Sequence, residues 1–340
     1  MRKVVTFGEI MLRLSPGGHY RFLQNGSFEA TFGGAEANVA VSLANFGVET
    51  SFVTRLPDHA IGRGAAQALR AFGVDTSGIV YGGERIGVYY LEKGAGERGS
   101  VCIYDRKHSA ISEATPDDFD WDAIFQDADW FHFTGITPAL GGYLPEICEV
   151  ACKAAKRLGL TVSCDLNYRS KLWTREQAGA VMDRLCRCTD VLFANEEDAL
   201  RVFGIAAADS DVTAGKLDKS GYMSVARQLR DRFGCGKVAI TLRTSLSASD
   251  NLWQGLVFDG EEFAFSREHS IRIVDRVGGG DSFAAGLIYA LRKQTDAQYA
   301  VEFAAAASAF AQTIEGDFNR VTEDEVLRLM RGDASGRVRR

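Results

Sequence analysis

The chain has 340 residues, 46% hydrophobic and 25% charged, with 36 glycines against 5 prolines. Such values fit one α/β core with a small appendage and exclude fibrous and disordered classes. A net charge of −6 offers no basic face to neutralise a phosphate backbone, which argues against a nucleic-acid partner.

The N-terminal residues run straight into a strand-like segment with no apolar leader, and no apolar run is long enough to span a bilayer. Strand patterns follow at residues 4–7, 51–54, 130–134, 161–165, 191–194 and 238–242. Helical patterns fall between them, as at residues 144–158, where Ile147, Val150, Ala151, Ala154 and Leu158 recur before Gly159. The alternation predicts an α/β fold with a doubly wound, mostly parallel sheet flanked by helices. Residues 12–32 and 85–111 break the rhythm, alternate like hairpin strands and show no helical pattern. They predict a small β-sheet lid, so the core is expected over 1–11, 33–84 and 112–331. Residues 282–292 and 297–313 read as two close-packed, alanine-rich helices, and 332–340 as a frayed polar tail. Seven cysteines (Cys102, Cys148, Cys152, Cys164, Cys186, Cys188 and Cys235) contain no C-x-x-C pair and suit neither a disulfide framework nor a zinc site. They point to a reduced, cytoplasmic location without a membrane partner. The five histidines are scattered without metal-ligand spacing.

The strongest local signal is Asp275-Arg276-Val277-Gly278-Gly279-Gly280-Asp281, a glycine turn entering a helix. Glycines let backbone N–H groups approach an anion, and a helix N-terminus adds about half a positive charge. Gly278, Gly279 and Gly280 can thus form an anion hole for a phosphoryl group, with Asp281 beside it as general base. The same residues also read as a tight turn with Asp281 as an N-cap. A second glycine turn, Phe32-Gly33-Gly34-Ala35-Glu36-Ala37-Asn38, enters a helix expected over 37–46. There Gly33 and Gly34 would admit a ligand to the backbone and Asn38 would present an amide to sugar hydroxyls, although a plain strand-to-helix turn accounts for the pattern as well. Neither cluster has the dinucleotide-fold spacing, and no nucleophile elbow follows a strand.

With these two motifs in order along nearly the whole chain, the sequence resembles the ribokinase-like (PfkB-type) carbohydrate kinases. The segments Ile103-Tyr104-Asp105-Arg106-Lys107, His132-Phe133-Thr134-Gly135-Ile136 and Asp165-Leu166-Asn167-Tyr168-Arg169 narrow the resemblance to 2-keto-3-deoxygluconate kinases. It implies ATP and Mg²⁺ as cofactors and a small acidic sugar as substrate, phosphorylated to its 6-phosphate. It places Gly34, Tyr89, Tyr104, Arg106, Ile136 and Arg169 at the sugar, and Asn195, Thr241 and Arg243 at the nucleotide. An acidic sugar suits a planar, permanently charged arginine.

Two departures stand out. Residues 241–251 lack the glycine of the family's nucleotide loop, and the Asn-x-x-Glu pattern ends in Asp198, whose metal contact is expected through water. The alternatives are a neutral-sugar kinase of the fructokinase or ribokinase kind, or a sugar-binding regulator without turnover. The edge of the lid sheet offers a surface for pairing with a second copy.

Overall fold

The computed structural model describes residues 2–206, 219–294 and 296–332. The expected polar tail beyond Gly332 lies outside them. In chain order the strands are β1 Lys3–Phe7, β2 Met11–Ser15, β3 Glu29–Gly33, β4 Thr50–Leu56, β5 Ile79–Tyr81, β6 Val88–Glu92 and β7 Val101–Asp105. They continue as β8 Ala128–Thr134, β9 Thr161–Asp165, β10 Val191–Ala194, β11 Lys237–Ser245, β12 Asp250–Phe258, β13 Phe263–Phe265 and β14 His269–Arg272.

Every core strand read from the sequence is present because those runs are buried on both faces, where a continuous apolar run is stable. The large sheet has the order β13-β12-β11-β10-β9-β8-β1-β4-β5, with β14 pairing β12. It is parallel from β5 through β11 and antiparallel only at the β12, β13 and β14 edge. Successive side chains divide between two cores. Val5, Phe131 and Phe133 face the layer containing helices Leu144–Arg157 and Arg175–Cys186. Val4 and Trp130 face the layer of helices Ala35–Asn45, Gly279–Lys293 and Ala297–Ala311. Both alanine-rich helices are buried, and their small side chains permit the close approach. No helix among the described residues is long and apolar enough to cross a membrane.

A separate small sheet, β3-β2-β6-β7, uses strands from 11–33 and 88–105. Strands β2 and β3 each reach one residue beyond the stretch read as hairpin-like, at Met11 and Gly33. The second stretch, expected to hold no helix, ends in a single 3-10 turn, Ala110–Glu113. The helix expected from residue 37 starts at Ala35, and the one expected from residue 282 starts at Gly279.

Candidate active site

At the C-terminal ends of the central strands, between the two sheets, lies a cavity of about 540 Å³. It takes its walls from both glycine turns, the ends of β9, β10 and β11, and the inner face of the small sheet.

Gly278 is the N-cap of helix Gly279–Lys293 and has φ 80°, a left-handed conformation in which glycine carries no side-chain penalty. A Cβ there would overlap the carbonyl oxygen of Asp317. Asp281 is therefore the third helical residue rather than the N-cap, and the turn has no side-chain cap. The first-turn N–H groups have no helical acceptor, and Gly278, Gly279 and Gly280 line the cavity. Burial raises the pKa of the Asp281 carboxyl to about 6, against the opposing pull of a hydrogen bond from Asn38 and the charge of Arg169. A carboxyl so tuned is ionised near neutral pH yet basic enough to accept a proton.

Asn38 Nδ2 donates to Asp281 Oδ2 at 2.7 Å, while its Oδ1 accepts the N–H of Gly34 at 3.3 Å. The amide expected to meet sugar hydroxyls thus orients the carboxylate and ties one glycine turn to the other. Gly34 lines the cavity and passes so close to the Glu9 carbonyl that a Cβ would overlap it. Gly33, at the end of β3, does not line it.

The small sheet contributes Tyr89 and Tyr104, stacked with ring centroids 6.0 Å apart. Tyr89 is buried and its hydroxyl lies 2.6 Å from both oxygens of Asp317. Arg106 sits over the Tyr104 ring, but its Nε donates to Glu9 Oε2 at 2.7 Å and its Nη2 pairs with the same carboxylate. Two of its three nitrogens are thereby committed, with Ser109 Oγ donating to the other Glu9 oxygen at 2.6 Å. Arg169 is exposed at the cavity, and its charge opposes the rise that burial imposes on the pKa values of Asp281, Asp165 and Tyr104. Ile136 completes this end.

Arg169 is aimed by the turn after β9. Asn167 has φ 38°, a conformation rare for a residue with a side chain, and its N–H donates to Asp165 Oδ1 at 3.2 Å. The N–H of Tyr168 donates to Asp198 Oδ1 at 3.1 Å. Asp198, expected to face a metal, is buried and also braces this turn. Asn195 caps helix Glu196–Phe203 by accepting the N–H of Asp198 at 2.8 Å and lines the cavity besides.

Residues 241–251 form no open loop. They are the ends of β11 and β12 and a short turn, in which Ser247 Oγ accepts the N–H groups of Ser249 and Asp250 at 3.0 Å. Thr241 and Arg243 project from β11 into the cavity beside Arg276, whose pKa falls through burial and the charge of Arg243. The Nε and Nη2 of Arg276 have no hydrogen-bond partner. Two neighbouring guanidinium groups, Arg243 and Arg276, form an anion-attracting part of the cavity that the glycine turn also lines.

Sequence reasoning missed Asp165, Arg276 and Asp317. The first two stand inside motifs that were singled out for other residues. Asp317 carries no local signal. Among the described residues no group of three His, Cys, Asp or Glu could hold a metal ion.

The family model that matches is described as pfkB family carbohydrate kinase and covers residues 1–322. The chain is 34% identical to 2-dehydro-3-deoxygalactonokinase of Haloferax volcanii, over 98% of each chain. It is similar to the crystal structure of 2-dehydro-3-deoxygluconokinase from Thermotoga maritima, with 51% identity, a TM-score of 0.94 and coverage of 97% of this chain and 98% of that one. A putative ribokinase II from E. coli, solved in complex with ATP and Mg²⁺, shares the fold at a TM-score of 0.81 and 19% identity, covering 98% of this chain and 100% of that one.

Proposed function

This chain belongs to the pfkB family of carbohydrate kinases and is a sugar kinase, and from that premise we propose that it transfers the γ-phosphoryl group of ATP to the 6-hydroxyl of 2-keto-3-deoxygluconate. The observation that carries the proposal is one cavity lined by a carboxyl with a pKa raised to about 6, by the anion-attracting glycine turn beside it and by the accessible Arg169. The hydroxyl oxygen attacks phosphorus in line, its bond to phosphorus forms as the bond to the departing ADP oxygen breaks, and Asp281 takes the proton. The N–H groups of the glycine turn, with Arg243 and Arg276, hold the phosphate oxygens. Arg169 meets the sugar carboxylate. Arg106 is held by Glu9 and offers it one remaining nitrogen, while the small sheet acts as the lid.

The scarcity of clustered ligands fits an ion that arrives with the nucleotide, since Mg²⁺ keeps several waters and uses few protein carboxylates. Glu197 and Asp198 line the cavity near Asn195 and would hold it through water, where Mg²⁺ neutralises phosphate charge. The relatives' names support a 2-keto-3-deoxy sugar acid, and both the gluco and galacto epimers fit that description. The test is nucleotide consumption across both epimers, fructose and ribose with ATP and Mg²⁺. A sugar acid is expected to exceed the neutral sugars in kcat/KM by more than about tenfold, because a neutral ligand leaves the arginine unpaired. A preference for fructose or ribose overturns the assignment.

A further inference from the structure

A second set of charges adjoins the glycine turn, and two of its members, Tyr89 and Asp317, also line the cavity. Arg13, on β2 of the small sheet, donates from Nη1 to Asp317 Oδ1 at 2.7 Å and pairs through Nη2 with Asp275. All three side chains are about 97% or more buried. The hydroxyl of Tyr89 on β6 closes the set against Asp317. The Asp275 carboxylate and the Asp317 backbone both bear on the turn. Asp275 accepts the N–H of Val277 at 3.2 Å and that of Gly316 at 3.3 Å, and the Asp317 carbonyl abuts Gly278. One cation thus bridges two carboxylates that belong to the core while its own strand belongs to the small sheet.

We propose that Arg13 is a positioning residue for phosphoryl transfer: its fork fixes the glycine turn that carries Asp281 in register with the sheet that carries Tyr89. A guanidinium suits this role because its planar fork holds two carboxylates in a fixed relative geometry, which the compact, rotatable ammonium does not impose. Asp317 faces Arg13, Tyr89, Asp275, Asp281 and Cys102. Burial raises the pKa of its carboxyl, with Arg13 and Tyr89 opposing. Without Arg13, two buried carboxylates face each other with no counter-charge, and a proton becomes the only way to neutralise the set.

The proposal rests on Asp281 acting as the base, so D281N is measured alongside, and every variant is read on whichever sugar the wild type phosphorylates. For R13M at pH 8, kcat is expected to fall about 10²-fold, the cost of a misplacement near 1 Å, with both KM values within about threefold. As pH falls from 8 to 6.5, the ratio of variant to wild-type kcat should rise, because a proton replaces the missing cation. R13K keeps the charge but not the fork and should lose only about tenfold. R13M/D317N, which returns the set to one net negative charge, should recover most of the loss without restoring any cation. The role is refuted by an R13M kcat within about threefold of wild type. A loss that is equal at every pH and relieved by neither R13K nor D317N would leave Arg13 a fold residue only. Should R13M fail to fold, R13K decides alone, and a wild-type kcat there overturns the positioning role.

Discussion

Replacing Asp281 with asparagine separates the proton acceptor from everything else the residue does. The amide is nearly isosteric and its oxygen can still accept from Asn38, whose donor lies at 2.7 Å, so the tie between the glycine turns survives. Only proton acceptance is lost. General-base removal costs about 10²–10⁴ in rate, or about 2.7–5.4 kcal/mol of transition-state stabilisation. The assay is steady-state kcat at pH 7 with saturating sugar and nucleotide, and retention of more than about a tenth of wild-type kcat refutes the assignment. The wild-type pH profile offers an independent check. Because burial lifts the pKa of Asp281 to about 6, the base is ionised above that pH, and kcat/KM should fall as pH drops through it. An acid limb near the ordinary value of 3.8 would contradict the buried geometry. Stability should run the other way. A carboxyl whose folded pKa exceeds its unfolded value stabilises the fold when protonated and loses that contribution as pH rises through about 6. The Tm of D281N minus that of wild type should therefore grow between pH 4 and pH 7, which also shows that the variant folds.

Asn38→Ala removes a hydrogen bond that favours the charged form of Asp281, so the acid limb should move above about 6 and the loss of kcat should be larger at pH 6 than at pH 8. Arg169→Leu should lower kcat/KM on the sugar acid by about 10- to 150-fold while barely changing any activity on neutral sugars, and equal losses on both would mean a fold defect. Arg243→Ala should raise the KM for ATP by a similar 10- to 150-fold and leave the sugar KM nearly unchanged, whereas a raised sugar KM would place it in the wrong half of the cavity. Glu36 is buried, its Oε1 accepts from Thr134 N, Thr134 Oγ1 and Thr137 Oγ1, and burial lifts its pKa to about 7. Glu36→Gln keeps an acceptor there and abolishes the titration. The stabilisation that wild-type Glu36 loses as pH rises through about 7 should then be absent, so the Tm difference should grow in favour of the variant from pH 6 to pH 8.

What could be read from the sequence was what is local. Residues 191–194, Val191-Leu192-Phe193-Ala194, form a strand buried along its whole length, and residues 161–165 place Val162 and Cys164 in the core, patterns visible within a few residues. The glycine turn before Asp281 was legible for the same reason, since turn, helix start and carboxylate lie within seven residues. Its neighbour Arg276 stands in the same run and was passed over, because its role depends on Arg243, which the fold brings near it from β11. The geometry of residues 241–251 could not be read from a missing glycine, because one serine hydroxyl, that of Ser247, holds the turn. The partners of the candidate site were invisible for a deeper reason. Arg106 reads as a sugar ligand from its motif, but its partner Glu9, 97 residues away, which holds two of its nitrogens, leaves no trace there. Arg13 and Asp317 are 304 residues apart and meet only once the small sheet has closed on the core. A buried charge is tolerable only with its counter-charge in place, so such pairs form when the whole fold does. The groups expected to touch substrate were therefore readable from short motifs, while the groups that hold them in place required the tertiary structure.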